Sequence, residues 1–150
     1  MLLPPWTAEG TLTPGEHLAA WPECVTRFGW NPHRLRLLEG LLRALQNLRG
    51  AGCERVFLDG SFVTTKEVPG DYDGCWETRG VDPARLDPIF LNIVDIRAGR
   101  PQQKAKYRGE LFAASWPADA KRRYRQFFQY DRNDQPKGVV VIDLNSGDLP

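Results

Sequence analysis

The sequence predicts a single α+β domain, with a central mixed β-sheet flanked by helices. Its 150 residues are enough for one hydrophobic core, and 41% hydrophobic and 26% charged residues are ordinary globular values. Short apolar runs such as "RVFLD" and "VVVIDL" have the length of buried strands. The predicted order is helix, strand, strand, helix, strand, helix, strand, which differs from a regular βαβ array.

The N-terminal segment is predicted to be an arm on the main domain. Residues 1–22 are rich in proline, glycine and threonine, and they are predicted to be irregular before a short helix near Trp21–Phe28. We therefore divide the chain into residues 1–30, an arm with a short helix packed on the domain, and residues 31–150, the domain itself.

The strongest helix signal follows the arm. Asn31 is a suitable N-cap and Pro32 fits the first helical position. Leucines then recur at steps of three and four, which predicts one apolar face, and glycines end the pattern. The leucines are Leu35, Leu38, Leu42 and Leu45, and the glycines are Gly50 and Gly52.

Two strands and a turn are predicted next. "RVFLD" breaks at Gly60 and Ser61, and "DYDGCWE" alternates polar and apolar residues as a second strand. In this alternation Asp71 and Asp73 point to the same face. Asp59, at the end of the first strand, is predicted to stabilise the turn.

The second half of the chain gives weaker patterns. "DPARLDPIFLNI" indicates a helix interrupted at Pro88, "AKYRGELFAA" a strand, and the segment from Pro117 another helix. On a strand, Lys104, Lys106 and Arg108 would share one face and meet a triphosphate or an RNA backbone. The basic residues after Pro117 are equally well read as a solvated helix face.

Several classes of protein are disfavoured. No apolar run approaches the length of a membrane span, and "MLLPPWTAEG" lacks the pattern of a secretion signal. Three cysteines without CxxC spacing argue against a disulfide framework or a zinc site and favour a cytoplasmic protein; they are Cys24, Cys53 and Cys75. Neither a GxGxxG nor a P-loop motif occurs.

Charge is unevenly distributed despite a net value of +1. Residues 53–95 carry four Lys/Arg and nine Asp/Glu, a balance of −5, whereas residues 97–125 carry nine and two, a balance of +7. This asymmetry suits cations held beside a polyanionic ligand, although two solvated faces of opposite sign would give the same pattern.

The paired aspartates suggest metal chemistry. Residues i and i+2 of a strand lie about 6–7 Å apart on one face. Two carboxylates so placed repel each other unless a hard cation such as Mg²⁺ lies between them. Gly60 allows close approach of the backbone, and the Ser61 hydroxyl with exposed N–H groups suits phosphate oxygens.

Strand, Gly-Ser, short helix and Asp-x-Asp together resemble the nucleotidyltransferase superfamily typified by DNA polymerase β. The motif covers about twenty residues here. The resemblance implies a minimal nucleotidyltransferase fold in which Asp71 and Asp73 bind two magnesium ions and Gly60 and Ser61 hold the triphosphate of an NTP. "LDGSFVTTKEVPGDYDGCW", "QQKAKYRGELFAA" and "FFQYDRNDQPKGVVVIDL" also resemble small bacterial and phage proteins described only as uncharacterised, with a nucleotidyltransferase-like domain.

That superfamily uses a third carboxylate on a neighbouring strand, which the resemblance assigns to Glu110 in "YRGELF". Asp95 in "NIVDIR" is the alternative. Glutamate stands where the superfamily usually has aspartate. Lys66, in the loop between Ser61 and Asp71, joins Lys104 and Lys106 as a candidate nucleotide-binding cation.

Three functions are consistent with these features. The first is Mg²⁺-dependent transfer of an NMP group from NTP to tRNA or other RNA, a protein or a small molecule. By analogy, such an enzyme would belong to a toxin–antitoxin or phage-defence pair with a cognate antitoxin or partner protein. The second is an inactive protein of the same fold that senses nucleotides or binds a partner. The third is a nucleic-acid-binding module using residues 97–125.

Overall fold

The computed structural model describes residues 3–91 and 96–150. Its regular elements are, in chain order, β1 (Gly15–Ala19), α1 (Trp21–Phe28), α2 (Pro32–Gly50), β2 (Arg55–Asp59), β3 (Tyr72–Trp76), α3 (Ile96–Tyr107), β4 (Gly109–Ala113), α4 (Tyr124–Phe127) and β5 (Gly138–Asp143). Two 3₁₀ turns, Ser61–Val63 and Pro88–Leu91, complete the set.

The five strands form one mixed sheet in the order β1-β5-β2-β3-β4. β2 is antiparallel to both of its neighbours, β3 and β5, whereas β1 pairs with β5 and β4 pairs with β3 in parallel. The predicted α+β class with a mixed sheet is therefore confirmed.

The helix α2 begins as its sequence predicts. The Asn31 side chain accepts a hydrogen bond of 2.8 Å from the Arg34 N–H, and Pro32 takes the first helical position. The apolar face is rotated from the one expected, since Leu35 is 47% exposed. Its buried apolar positions are Leu37, Leu38, Leu41, Ala44, Leu45 and Leu48.

The N-terminal arm is more regular than expected. α1 has the predicted bounds, but Gly15–Ala19 within the predicted irregular segment forms β1 at the edge of the sheet. Each β1 residue pairs with a residue of β5, from Gly15 opposite Gly138 to Ala19 opposite Ile142. The arm thus completes the sheet, and the pairing depends on a partner strand at the far end of the chain.

The region predicted as the strand "AKYRGELFAA" is half helix. α3 continues to Tyr107, and only Gly109–Ala113 is extended. Gln103 and Tyr107 are both buried, and their spacing of four residues places them on one face of a helix. The prediction that Lys104, Lys106 and Arg108 share a strand face is therefore wrong.

Two predicted helices are also shorter than expected. Within the described residues 82–91 the chain turns and forms only the 3₁₀ turn Pro88–Leu91. Beyond Pro117, the Asp119 carboxylate accepts hydrogen bonds from the backbone N–H groups of Lys121 and Arg122. Pro117 and Arg123 form an isolated antiparallel bridge, which closes this segment as a turn, so α4 is confined to Tyr124–Phe127.

Hydrophobic side chains cover both faces of the sheet. Val56 and Leu58 of β2 face the larger cluster with α2, and Phe57 faces a second cluster with Val141 and Phe128. The three cysteines are buried free thiols. Burial raises the pKa of both Cys24 and Cys53 to about 12, which removes thiolate character at neutral pH. Within the described ranges, no helix has the length and apolar character needed to cross a membrane.

Candidate functional site

Three carboxylates from the neighbouring strands β3 and β4 converge at one end of the sheet. Asp71 immediately precedes β3, Asp73 lies on β3, and Glu110 lies directly opposite Asp73 on β4. One oxygen of each carboxylate lies within 4.8 Å of the other two. The structure therefore brings together the three predicted metal ligands, while Asp95 lies outside the described residues.

The register that places Glu110 beside Asp73 depends on Tyr72. Its ring covers Gly109, where a Cβ atom would lie 2.6 Å from ring atoms, so only glycine fits there. The Tyr72 hydroxyl donates a hydrogen bond of 2.7 Å to the Tyr107 carbonyl at the end of α3. These contacts hold the junction between α3 and β4 in position, and they therefore also fix where the strand that carries Glu110 begins.

The acidic cluster is electrostatically strained. Burial raises the pKa of Asp73 to about 7, with further contributions from Asp71, Glu110 and Asp59, and Lys104 opposes the rise. Glu110 is more deeply buried, since its side chain is only 1% exposed. Several carboxylates in so little solvent favour a bound cation.

Lys104 supplies part of that positive charge. Its Nζ atom lies 3.0 Å from a Glu110 oxygen and 3.4 Å from an Asp71 oxygen. The hydrogen bond that Lys104 donates to Glu110 and the charge of both acids raise the pKa of Lys104, so this ammonium group stays charged. The Lys104 side chain therefore extends from the last turn of α3 and contacts the carboxylates directly.

The predicted phosphate-binding turn lies on the other side of Asp73. Gly60 has φ +86°, and a Cβ atom there would lie 2.8 Å from Asp73 Oδ2. A side chain at position 60 would thus be strained and would also collide with the aspartate. The 3₁₀ turn follows directly, with the Thr64 hydroxyl donating a hydrogen bond of 2.6 Å to the Ser61 carbonyl. The Gly60–Ser61 turn is consequently held against the carboxylates.

Among the described residues, two of the predicted nucleotide-binding lysines, Lys66 and Lys106, make no contact with the carboxylate cluster. Lys106 forms an ion pair of 2.6 Å with Asp87. Burial opposes ionisation of Asp87, but hydrogen bonds from Lys106 and Tyr107 outweigh it and hold the pKa of that carboxyl below its usual range. Lys66 has an exposed side chain in the loop after the 3₁₀ turn, where its carbonyl accepts hydrogen bonds from Arg34.

A cavity of about 400 Å³ opens beside Asp71. It lies between α2, the loop before β3 and the end of α3. Its lining consists of His33, Leu37, Gly70, Asp71, Lys104 and Arg108. The volume is within the range of small-molecule sites. The His33 Nε2–H donates a hydrogen bond of 2.5 Å to the Pro69 carbonyl, which holds this wall of the cavity in place.

Asp59 is closer to the site than its sequence position suggested. It lies opposite Asp73 on β2 and is 2% exposed, with Lys137 Nζ 2.9 Å from its Oδ2 atom. Burial raises the pKa of Asp59 to about 6, against the opposing effects of Lys137 and of the Gly60 N–H. The sequence pattern of β2 around Val56 and Leu58 gave no indication that Asp59 would be buried. Its ion-pair partner, Lys137, lies in a turn that is distant along the chain.

The basic residues after Pro117 are largely engaged within the fold. Arg122 forms an ion pair of 2.7 Å with Asp134, and Arg125 pairs with Glu16 of β1 at 2.8 Å. The guanidinium of Arg125 also lies 4.6 Å from the centroid of the Phe57 ring. These pairs attach the segment to the rest of the molecule and leave less free charge for a polyanion than the sequence suggested.

A family model described as a family of unknown function (DUF6932) matches residues 4–143, and the chain belongs to this family. The comparisons with curated proteins and with solved structures each found no match. Functional inference therefore depends on the residues of the site.

Proposed function

We propose that the protein is a divalent-metal-dependent nucleotidyltransferase, which transfers an NMP group from NTP to an acceptor and releases pyrophosphate. The observation that carries the proposal is the convergence of Asp71, Asp73 and Glu110 beside the Gly60–Ser61 turn. The acceptor would be tRNA or another RNA, a protein hydroxyl or a small molecule.

The donor set of the cluster fits magnesium. All three side chains offer carboxylate oxygens, which Mg²⁺ prefers, and these oxygens lie within 4.8 Å of one another, so that small side-chain movements would let one cation contact all three. The low exposure of Glu110 makes charge neutralisation more valuable than it would be in water. Bound Mg²⁺ would stabilise negative charge on the phosphate oxygens in the transition state.

The residues of the chain would divide the remaining work. Asp71, Asp73 and Glu110 would hold the cation, and the Gly60–Ser61 turn would bind phosphate oxygens through the Ser61 hydroxyl and nearby N–H groups. In the transfer, an acceptor oxygen forms a bond to the α-phosphorus, and the bond between the α- and β-phosphates breaks. Glu110 would orient the acceptor hydroxyl or take up its proton.

The decisive experiment supplies labelled ATP, CTP, GTP or UTP with Mg²⁺, total tRNA and cell extract. We expect the wild-type protein to transfer label to one class of acceptor. The Asp71→Ala/Asp73→Ala variant should lose at least about 100-fold of this activity, because it lacks the ligands that stabilise transition-state charge. Folding of the variant is checked by circular dichroism. Absence of transfer to every acceptor would reject the enzyme.

Lys104 favours a second candidate function, a nucleotide-binding protein without turnover. Its ammonium group already contacts Asp71 and Glu110, and thus partly meets the demand for a cation. A nucleotide could then bind without two metal ions. Tight NTP binding in the absence of transfer, unaffected by a chelator, would support this sensor over the enzyme.

Substitution of Lys104 by methionine tests whether this lysine competes with a metal ion for the carboxylates. Because Lys104 competes with metal for Asp71 and Glu110, we expect Lys104→Met to bind Mn²⁺ about two- to five-fold more tightly at pH 8.5, where Asp73 is ionised. Electron paramagnetic resonance of free Mn²⁺ measures this affinity. Lys121→Met, which removes an exposed lysine elsewhere, should leave it unchanged. Weaker Mn²⁺ binding in Lys104→Met would contradict competition.

A further inference from the structure

The cavity beside Asp71 is lined by two cationic side chains, of which Lys104 contacts the carboxylates of the proposed metal site. Lys104 and Arg108 are four residues apart at the end of α3, and both line the cavity. The Gly60–Ser61 turn, by contrast, packs against Asp73. The carboxylate cluster therefore has one potential phosphate-binding element at Asp73 and a second, basic one at Asp71.

Arg108 has an unusual backbone conformation. Its φ is +66°, in the left-handed region, and its N–H donates a hydrogen bond of 2.9 Å to the Lys104 carbonyl. This is the position after a helix at which glycine is normally found, because a side chain there is strained. The sequence nevertheless has arginine at this position and glycine one residue later.

No contact of the Arg108 guanidinium within the described part of the chain explains this choice. Among residues 3–91 and 96–150, its guanidinium forms no hydrogen bond or ion pair with another side chain. A cation near the end of a helix does interact favourably with the helix dipole. Lys104 and Lys106 already supply that charge from the last turn of α3 without positive φ. The remaining feature of Arg108 is its place in the wall of the cavity.

We infer that this cavity binds a phosphate group of a substrate, with Arg108 as its main partner and Lys104 as a second cation once metal binds the carboxylates. The guanidinium group suits paired hydrogen bonds to phosphate oxygens. That the phosphate belongs to a substrate rests on the proposed function. Its source is either the triphosphate of the NTP or a phosphate of the acceptor.

Two variants separate binding from folding. Arg108→Gly and Arg108→Asn both place a residue that tolerates positive φ at this position. We expect their melting temperatures to equal that of the wild type or to exceed it by about 2–4 °C. The control Arg85→Asn removes another exposed arginine, one that does not line the cavity. Substitution of the strained Arg108 is therefore expected to remove phosphate binding without lowering stability.

Phosphate binding is measured by NMR titration of the full chain at pH 8. One arm uses tripolyphosphate with Mg²⁺, which represents the NTP without its base, and the other uses nucleoside 5′-monophosphates. We expect the amide signals of Gly70, Arg108 and Gly109 to shift in at least one arm. Arg108→Asn should weaken that binding about 10- to 100-fold, as expected for loss of a charged hydrogen-bond partner, whereas Arg85→Asn should not.

Each outcome has a defined meaning. Shifts in the tripolyphosphate arm alone assign the cavity to the NTP, and shifts in the monophosphate arm assign it to the acceptor. The inference is overturned if neither ligand shifts these signals, or if Arg108→Asn binds as the wild type does. Binding that depends on Arg108 without any nucleotidyl transfer would uphold the cavity and reject the enzyme, so the two failures are distinguishable.

Discussion

We expect Asp73→Asn to stabilise the fold at neutral and alkaline pH and to abolish binding of divalent cations at the carboxylate cluster. Burial and the charges of neighbouring acids raise the pKa of Asp73 to about 7, from an ordinary value of 3.8. The ionised aspartate is thus costly in the folded protein. Asparagine keeps the size of the side chain but removes its charge. The free-energy cost of burying that charge is therefore removed, and one metal ligand is lost with it.

The sign of the pH dependence follows from the direction of this shift. The folded state holds the Asp73 proton more tightly than the unfolded state, so the free energy of unfolding falls as pH rises from about 4 to about 7. Above that window the loss is complete and on the order of 2–4 kcal/mol. Asp73→Asn should therefore melt about 5–10 °C higher at pH 8 and close to the wild type at pH 4.

Thermal unfolding followed by circular dichroism between pH 4 and pH 9 tests this prediction, and Mn²⁺ titration tests the loss of metal binding. Asp148→Asn is a matched control, since Asp148 is exposed and distant in sequence from the cluster. A lower melting temperature for Asp73→Asn at pH 8 would show that Asp73 stabilises the fold and that its charge is not strained. Mn²⁺ binding as tight as in the wild type would remove Asp73 from the metal site.

The parts of the site that could be predicted from the sequence are those encoded by neighbouring residues. Gly60 and Ser61 follow a buried strand, and Asp71 and Asp73 share a face because side chains alternate along β3. Glu110 was also assigned correctly to a strand, although the segment before it was not. The motif sets how far apart these residues lie along the chain, and in the structure the same residues lie close together in space.

The errors arise where distant contacts decide the conformation. The segment around Lys104 alternates basic and other residues as a strand would, but burial of Gln103 and Tyr107 against the core makes it helical. β1 is extended because β5 pairs with it. Positive φ at Arg108 has no sequence signature, since glycine, the residue that favours it, lies one position later.

The largest loss of stability is expected from Arg34, a residue that hydrophobic periodicity alone would never select. Its side chain is fully buried within α2, with its guanidinium 3.7 Å from the centroid of the Trp30 ring. It donates hydrogen bonds to four backbone carbonyls, those of Phe28, Phe62, Thr64 and Lys66, at 2.7–3.2 Å. Burial lowers its pKa to about 10, so the group remains charged at neutral pH.

Arg34→Met keeps an unbranched apolar stem but leaves these carbonyls without their donor. Each buried polar group that loses its partner costs about 1–3 kcal/mol, so we expect an overall loss of about 3–5 kcal/mol and a melting temperature at least about 6 °C lower. Arg36→Met, on an exposed position of the same helix, is the control for removing a charge from α2. A loss below about 1 kcal/mol would mean that these bonds do not determine stability.

The consequence for the site follows from where three of the carbonyls lie. Phe62, Thr64 and Lys66 come directly after the Gly60–Ser61 turn, so Arg34 fixes the segment that holds this turn against Asp73. In Arg34→Met we therefore expect hydrogen exchange of residues 60–66 to accelerate more than that of β3 and β4, even well below the melting temperature. Uniform acceleration through the sheet would instead assign Arg34 to global stability alone.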